Sequence, residues 1–334
     1  MNFLLWLFEQ SLKDIGHVIN MSKGSFMKAP PVQQIMIDLV SIIQLTKPDL
    51  LALFPIQRYI AMLDNQRLFG NYLTMPPLVI KYSQEICACT NEGLLENYHK
   101  LVLLTLIEQF DARLSDRKIP QSIIELFYSE FSRIMDHLVL CPKGYYLMSN
   151  KQFLCDLAIC RLKVYPCGPI LIDEMSGIPR SLLINNGLKQ LFTGAIFFMF
   201  KTHGFQTFYE LHMHVSQRKH FNAEGWLASY RKIAELLELN SNVRGMSCAS
   251  WWYDPQLETI SPRLHYLRNI PYENGAKLFY FQADKAAVSG AIDKSESRRQ
   301  LFKAGTYIPK IYMMIWPRQA LIRWKNKQAS HYMD

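Results

Sequence analysis

Between Gln206 and Pro317 the chain reads strand, helix, strand, helix, strand, helix, strand, and no other feature narrows its fold as much. Strands and helices that alternate in this way build an α/β sheet with helices packed on its faces. The first strand carries the run Tyr209-Glu210-Leu211-His212-Met213-His214-Val215. Side chains alternate along a strand, so Glu210, His212 and His214 share one face while Tyr209, Leu211, Met213 and Val215 share the other. An acid and two imidazoles on one face make a candidate acid–base site, because histidine titrates near neutrality.

The remaining elements of this segment have recognisable ends. Asn222 is a good N-cap and Glu224 suits the first turn of a helix whose face is Trp226, Tyr230, Ile233, Ala234 and Leu237. Val243 to Tyr253 reads as the next strand. Ser261 caps a short helix with Pro262 at its first position, and Asn274-Gly275 turns into a strand from Ala276 to Phe281. Asp293 and Glu296 have capping-box spacing ahead of a helix over Ser297 to Ala304, and Tyr307 to Trp316 forms the last strand. Upstream, Leu162 to Tyr165 and Ile170 to Asp173 are two strands joined by a Pro-Gly turn. Leu182 to Phe200 is helical, and apolar nearly all round at Ala195 to Phe200, which predicts a buried helix.

From Pro31 to Leu140 the pattern is mostly helical, divided by Pro48, Pro55, Pro76, Pro77 and Pro120. Ile123, Ile124, Phe127, Phe131 and Ile134 form one apolar stripe, and Ile35, Leu39, Ile42 and Ile43 another. Asp49 and Ser122 are candidate caps. This half offers no chemical constellation. Cys141-Pro142-Lys143-Gly144 reads as a joint, which divides the chain into a mainly helical region, 1–145, and an α/β domain, 146–334.

A chain of 334 residues with 49% hydrophobic and 19% charged residues can bury a full core. Its formal charge of +9 is compatible with anionic ligands, but the basic residues are spread and match no nucleic-acid motif, so no nucleic-acid partner is expected. Seven cysteines in no paired metal or disulfide spacing point to free thiols in a reducing cytoplasm. Cys87-Ala88-Cys89 reads as buried thiols in a helix in preference to a metal or redox pair. Met1 to Phe8 is apolar without the basic flank and cleavage site of a signal peptide, and fits a short helix or a contact with a membrane surface. Leu101 to Ile107 and Leu191 to Phe200 are too short to span a bilayer, so no transmembrane segment is expected. The oligomeric state is left open.

The element order after Gln206 resembles the C-terminal half of the GNAT N-acyltransferase fold. Tyr272-Glu273-Asn274-Gly275 followed by Ala276-Lys277-Leu278-Phe279 is similar to that family's Tyr-rich helix end, glycine turn and next strand. The resemblance implies a mixed-sheet, GNAT-like C-terminal domain behind the helical region. It also implies transfer of an acyl group from an acyl-CoA or acyl-carrier-protein thioester to a small-molecule amine. Glu210, His212 or His214 would be the base and Tyr253, Tyr266 or Tyr272 the acid. Gln217, Arg218, Lys219 and Gly225 occupy the place of the phosphate-binding turn, where the family carries Arg or Gln, two residues, Gly, one residue, then Gly or Ala. Here that place is a basic loop with one late glycine.

Two other readings stay open. A non-catalytic GNAT-like protein would use the polar strand face to recognise a ligand or partner. A metal centre on Glu210, His212 and His214 is the weaker one, since the next acid, Glu224, lies ten positions beyond His214. Trp251-Trp252-Tyr253-Asp254 could line an acyl pocket. Cys248 is either a nucleophile served by His212 or His214 or a buried thiol. GxSxG, HExxH, P-loop and GxGxxG motifs are absent.

Overall fold

The computed structural model describes residues 30–65, 72–283 and 285–330; the apolar run Met1 to Phe8 lies outside them. Its helices before the sheet are α1 (Pro30–Thr46), α2 (Leu50–Leu53), α3 (Ile56–Asp64), α4 (Pro77–Cys89), α5 (Glu92–Glu108), α6 (Phe110–Leu114), α7 (Gln121–Leu140) and α8 (Lys151–Cys160). Prolines set several of these starts: Pro55, Pro76 and Pro120 each occupy an N-cap position in extended conformation. Asp49 stands at the N-cap of α2 but makes no side-chain cap bond. Ser122 instead donates to Glu235. Helix α5 is the centre of this half, buried on nearly every side.

Strands β1 (Val164–Pro166), β2 (Ile170–Gly177), β3 (Gln206–Met213), β4 (Gly245–Ser250), β5 (Lys277–Gln282) and β6 (Ile311–Pro317) form one mixed sheet in the order β1-β2-β3-β4-β6-β5. Every neighbouring pair is antiparallel except β3 and β4, which run parallel. The Pro-Gly turn joins β1 to β2 as expected, with Gly168 at φ +95°. Helices α9 (Gly187–Phe200), α10 (Ala223–Leu239), α11 (Leu257–Ile260), α12 (His265–Glu273), α13 (Lys285–Ile292), α14 (Glu296–Lys303) and α15 (Arg318–Ser330) complete the chain. The architecture is α/β: a helical N-terminal region followed by a mixed sheet with helices.

One sheet face packs Tyr209, Leu211, Met246, Cys248, Met314 and Trp316 against Trp226, Tyr230, Ile233 and Leu237 of α10. That core is continuous with the core of the helical half. The opposite face packs Phe208, Phe279, Met313 and Ile315 under Phe198 of α9. Gln190 fixes α9 to the edge strand, donating to Tyr280 O at 2.9 Å and accepting from Tyr280 N at 3.0 Å.

Several sequence expectations change. Helix α9 is not buried: Leu188 is 71% exposed, Phe192 64% and Phe200 65%. Only the Gln190, Gly194 and Phe198 side faces the protein. Apolar character all round a helix does not distinguish two buried faces from one. Ser261 makes no cap bond and its hydroxyl accepts from Arg298 instead. Ser295, not Asp293, caps the helix that begins at Glu296. The strand read as Val243 to Tyr253 ends at Ser250, and Trp251–Tyr253 forms a 3-10 turn. Helices α13 and α15 were not anticipated. Cys87 is half-buried and Cys89 exposed, and all seven cysteines are free.

Candidate active site

The parallel pair comes apart where the polar face begins. β3 and β4 are in register at Tyr209 with Met246 and at Glu210 with Ser247, and nowhere further. Beyond that point β2 still holds β3 as far as Met213, while β6 still holds β4 as far as Ser250. The sheet therefore forks immediately after Glu210. Gly245, at the base of the fork, has φ +154°, and a Cβ there would lie 2.3 Å from Trp316 O, so only glycine fits against β6.

Glu210 and His212 occupy the sheet face that α9 covers at the Phe208 end, because they alternate with Leu211 and Met213. Asp173 of β2 lies directly across from Glu210, and Ser247 of β4 is paired with it on the other side. Ser176 Oγ donates to Glu210 Oε2 at 2.8 Å. Asp173 is buried and accepts from Lys163 Nζ at 2.9 Å. The Nε2 atom of His212 is buried without a hydrogen-bond partner among the described residues. Burial pushes its pKa below the ordinary value, against the opposing pull of Glu210 and Asp173, so the imidazole is neutral at neutral pH. A neutral ring nitrogen with no partner among the described residues can accept a proton, and Glu210 shares its strand face.

Tyr72, from the helical half, closes over this face. Its ring lies 4.8 Å from that of His212, inclined at 60°. Burial above all, with Cys155, Asp173 and Glu210 adding to it, raises the Tyr72 phenol, which keeps its proton.

On the opposite face, at the mouth of the fork, lies a cavity of about 800 Å³. Its walls come from Met213 of β3, the α10 N-terminus, Trp251 and Trp252 after β4, Tyr266 of α12 and the segment from Ser289 to Arg298. Arg263, Lys294 and Arg298 make the wall basic, and Asp293 is its acid. Arg298 is 5% exposed, stacks 4.7 Å above the Trp251 ring and bonds only to Ala291 O and Ser261 Oγ among the described residues. Burial lowers its pKa, and Arg263 adds to that while Tyr307 opposes it. Tyr266 is also raised by burial, to about 12, and so stays protonated.

The other anticipated residues are dispersed. His214 lies past the end of β3, its Nε2 3.1 Å from Glu130 Oε1 of α7 without hydrogen-bond alignment. Gln217 also reaches Glu130, donating at 3.0 Å. Arg218 and Lys219 stand exposed on the turn before α10. Gly225 is hemmed in, since a Cβ there would fall 2.1 Å from His220 O, and its amide is held by Asn222 Oδ1 at 2.8 Å. Tyr253 is fully buried and Tyr272 is 51% exposed under Arg268; neither lines the cavity. Cys248 faces α10, opposite to His212, and burial raises its thiol to about 12, which removes the expectation of a histidine-served nucleophile. No group of three or more His, Cys, Asp or Glu suited to a metal ion occurs among the described residues.

Sequence reasoning missed Tyr72, Asp173, Lys163 and Ser176. The hairpin register carried a signal for Asp173, which faces Glu210 once β2 and β3 pair. Tyr72 had none, because its approach depends on how the helical half folds back.

What these elements define is an α/β protein with one forked parallel pair in a mixed sheet. No family model matches the sequence, and no curated protein is similar to it. Among solved structures, it is similar to an acyltransferase in complex with decanoyl-CoA, at 13% identity and a TM-score of 0.46 over 88% of this chain and 81% of that one. It is also similar to an acyltransferase in complex with decanoyl-CoA and teicoplanin, at 12% identity and a TM-score of 0.44 over 82% and 80%.

Proposed function

We propose that this chain is an acyltransferase of GNAT-like architecture that moves an acyl group from a thioester to a small amine. The observation that carries the reading is the fork: two parallel strands part after Glu210, with a basic cavity on one sheet face and an acid–base pair on the other. A thioester lying in the cavity would pass its acyl carbon through the split towards Glu210 and His212. The cationic wall of Arg263, Lys294 and Arg298 suits an anionic donor such as acyl-CoA or an acyl-carrier-protein thioester. The acceptor would approach from the Glu210 side, where the carboxylate of Glu210 favours an ammonium group.

In this reading His212 takes one proton from the ammonium, with Glu210 beside it. The amine nitrogen then attacks the thioester carbonyl and the C–N bond forms; the adduct nitrogen gives up its second proton to solvent as the C–S bond breaks, and His212 later releases the first to solvent. Tyr266, protonated on the cavity wall, gives its proton to the departing thiolate and regains it from solvent. Neither Tyr253 nor Tyr272 is needed for this step. Seven free thiols accord with a reducing compartment such as the cytoplasm.

A second reading, a non-catalytic ligand-binding protein on the same sheet, is favoured by the anticipated phosphate turn. Arg218 and Lys219 point into solvent, and the Gly225 amide is already taken. One experiment separates the two. Acyl-CoA and acyl-carrier-protein thioesters are each assayed for a rise in melting temperature and for thiol release with an amine acceptor. Turnover that Glu210→Gln or His212→Asn abolishes without lowering the melting temperature supports acyl transfer. Binding without turnover supports the second reading, and no binding of any thioester sinks acyl transfer.

A further inference from the structure

Helix α9 carries an exposed apolar face that nothing in the described structure covers. Leu188, Phe192 and Ile196 follow one another at four-residue steps and Met199 comes three later, so they share one side of the helix. Their exposures are 71%, 64%, 60% and 63%, and Ile184 and Phe200 extend the patch at 66% and 65%. The inner side is locked to the sheet by Phe198 stacking on Phe279 and by the Gln190 bonds to Tyr280. Gly194 packs tightly under Leu183, so the outer face is displayed by a fixed helix and not by a loose one.

Along this helix and the segments that flank it in sequence the charge has one sign. No Asp or Glu occurs between Glu174 and Glu210, while Arg180, Lys189 and Lys201 are all exposed. Arg244 closes the C-terminal end of the helix, donating to Thr202 O at 3.0 Å. A cationic rim disfavours pairing with a second identical face, because the like charges would meet. It favours an anionic surface, with the long Lys and Arg side chains reaching head groups while the apolar row enters the acyl region. At 14 residues α9 is about 21 Å long by its rise per residue, too short to cross a hydrocarbon core of about 30 Å.

We infer that α9 docks this protein on an anionic lipid surface, lying in the plane of the interface with Leu188, Phe192, Ile196 and Met199 buried in it. The inference does not rest on acyl transfer. Its consequence is positional: α9 covers the same sheet face as Glu210 and His212, so docking brings that face towards the lipid.

The test is sedimentation of the full chain with vesicles of phosphatidylcholine alone and of phosphatidylcholine mixed with phosphatidylglycerol. Light scattering of the free protein runs beside it. The expected result is binding to the anionic vesicles, weakened by salt and reduced about tenfold or more by Phe192→Glu with Ile196→Glu. Lys189→Glu with Lys201→Glu should weaken it separately. Phe192→Trp keeps the apolar face, and its fluorescence should shift to the blue on anionic vesicles. Absence of wild-type binding to both vesicles would overturn the inference. So would unchanged binding by the double glutamate variant, or a dimer that this variant converts to monomer.

Discussion

The ring of Tyr72 sits 4.8 Å from the imidazole of His212, which ties the helical half of the chain to the polar face of the central strand. Burial is the leading cause of the depressed His212 pKa, and Tyr72 is one of the side chains that bury it. Replacing Tyr72 with Ala should therefore let water reach His212 and raise its pKa towards the ordinary value of about 6.5. Tyr72→Phe keeps the ring and should leave the pKa near its native position. An NMR titration of the His212 ring protons reads both outcomes. Equal pKa values in the Ala and native proteins would show that Tyr72 does not set this environment.

The same depression fixes the direction of the pH dependence. In the proposed reaction His212 must be neutral to act as base, so the rate should be flat through neutrality and fall only as the pH drops below about 6.5. His212→Asn should remove this acid limb together with roughly 10²- to 10⁴-fold in kcat, the usual contribution of one general base. Initial rates between pH 4 and pH 8 decide it. A limb centred above pH 7 would assign the base to some other group.

Much of the sheet could be read in the sequence because strand period and helix caps are local. Asn222 caps α10 as its type suggests, accepting from Gly225 N at 2.8 Å. Trp226, Tyr230, Ile233, Ala234 and Leu237 are all buried, as their helical spacing requires. Glu210 and His212 share a face because alternation demands it. What was not legible depended on distant packing. The fork after Glu210 follows from which neighbour each strand keeps, and α9 is exposed because no described element folds over its outer side. His214 left the face for Glu130, a residue of α7 far away in sequence. Arg298 is buried against Trp251, a contact between segments some forty-seven residues apart that no local pattern marks.

His99 makes the fold sensitive to acid. It is fully buried in the helical half, its Nδ1 donates to Tyr146 O at 2.6 Å, and Nε2 lies 3.1 Å from the Tyr59 hydroxyl. Burial lowers its pKa to about 4, only partly offset by the Tyr146 bond. The unfolded chain binds this proton near pH 6.5, so the contribution to stability is complete above that value and is lost as the pH falls towards 4. Between pH 7 and pH 5 the loss from this group alone should be about 2 kcal/mol. Denaturant midpoints at the two pH values test it, and His99→Asn should flatten the difference whatever it costs at pH 7.

A second buried group of charges assigns His214 a structural role. Arg133 bridges Glu130 at 2.7 Å and Asp156 at 2.5 Å, and both carboxylates are buried. Burial raises the Glu130 pKa, but His214 and Arg133 outweigh it and hold the carboxyl at about 2. Tyr145 donates to the other Asp156 oxygen at 3.0 Å. Removing the shared cation leaves two desolvated anions facing each other, so Arg133→Met should cost about 3–5 kcal/mol. Adding Glu130→Gln and Asp156→Asn to that variant should return part of the loss, because the anions are then gone. His214→Asn is the decisive member of the series, since it removes one partner of Glu130 while leaving β3 and the Glu210–His212 pair in place. It should lower the melting temperature and leave kcat for the proposed acyl transfer within a few-fold of native. An unchanged melting temperature with turnover abolished would instead return His214 to the acid–base site.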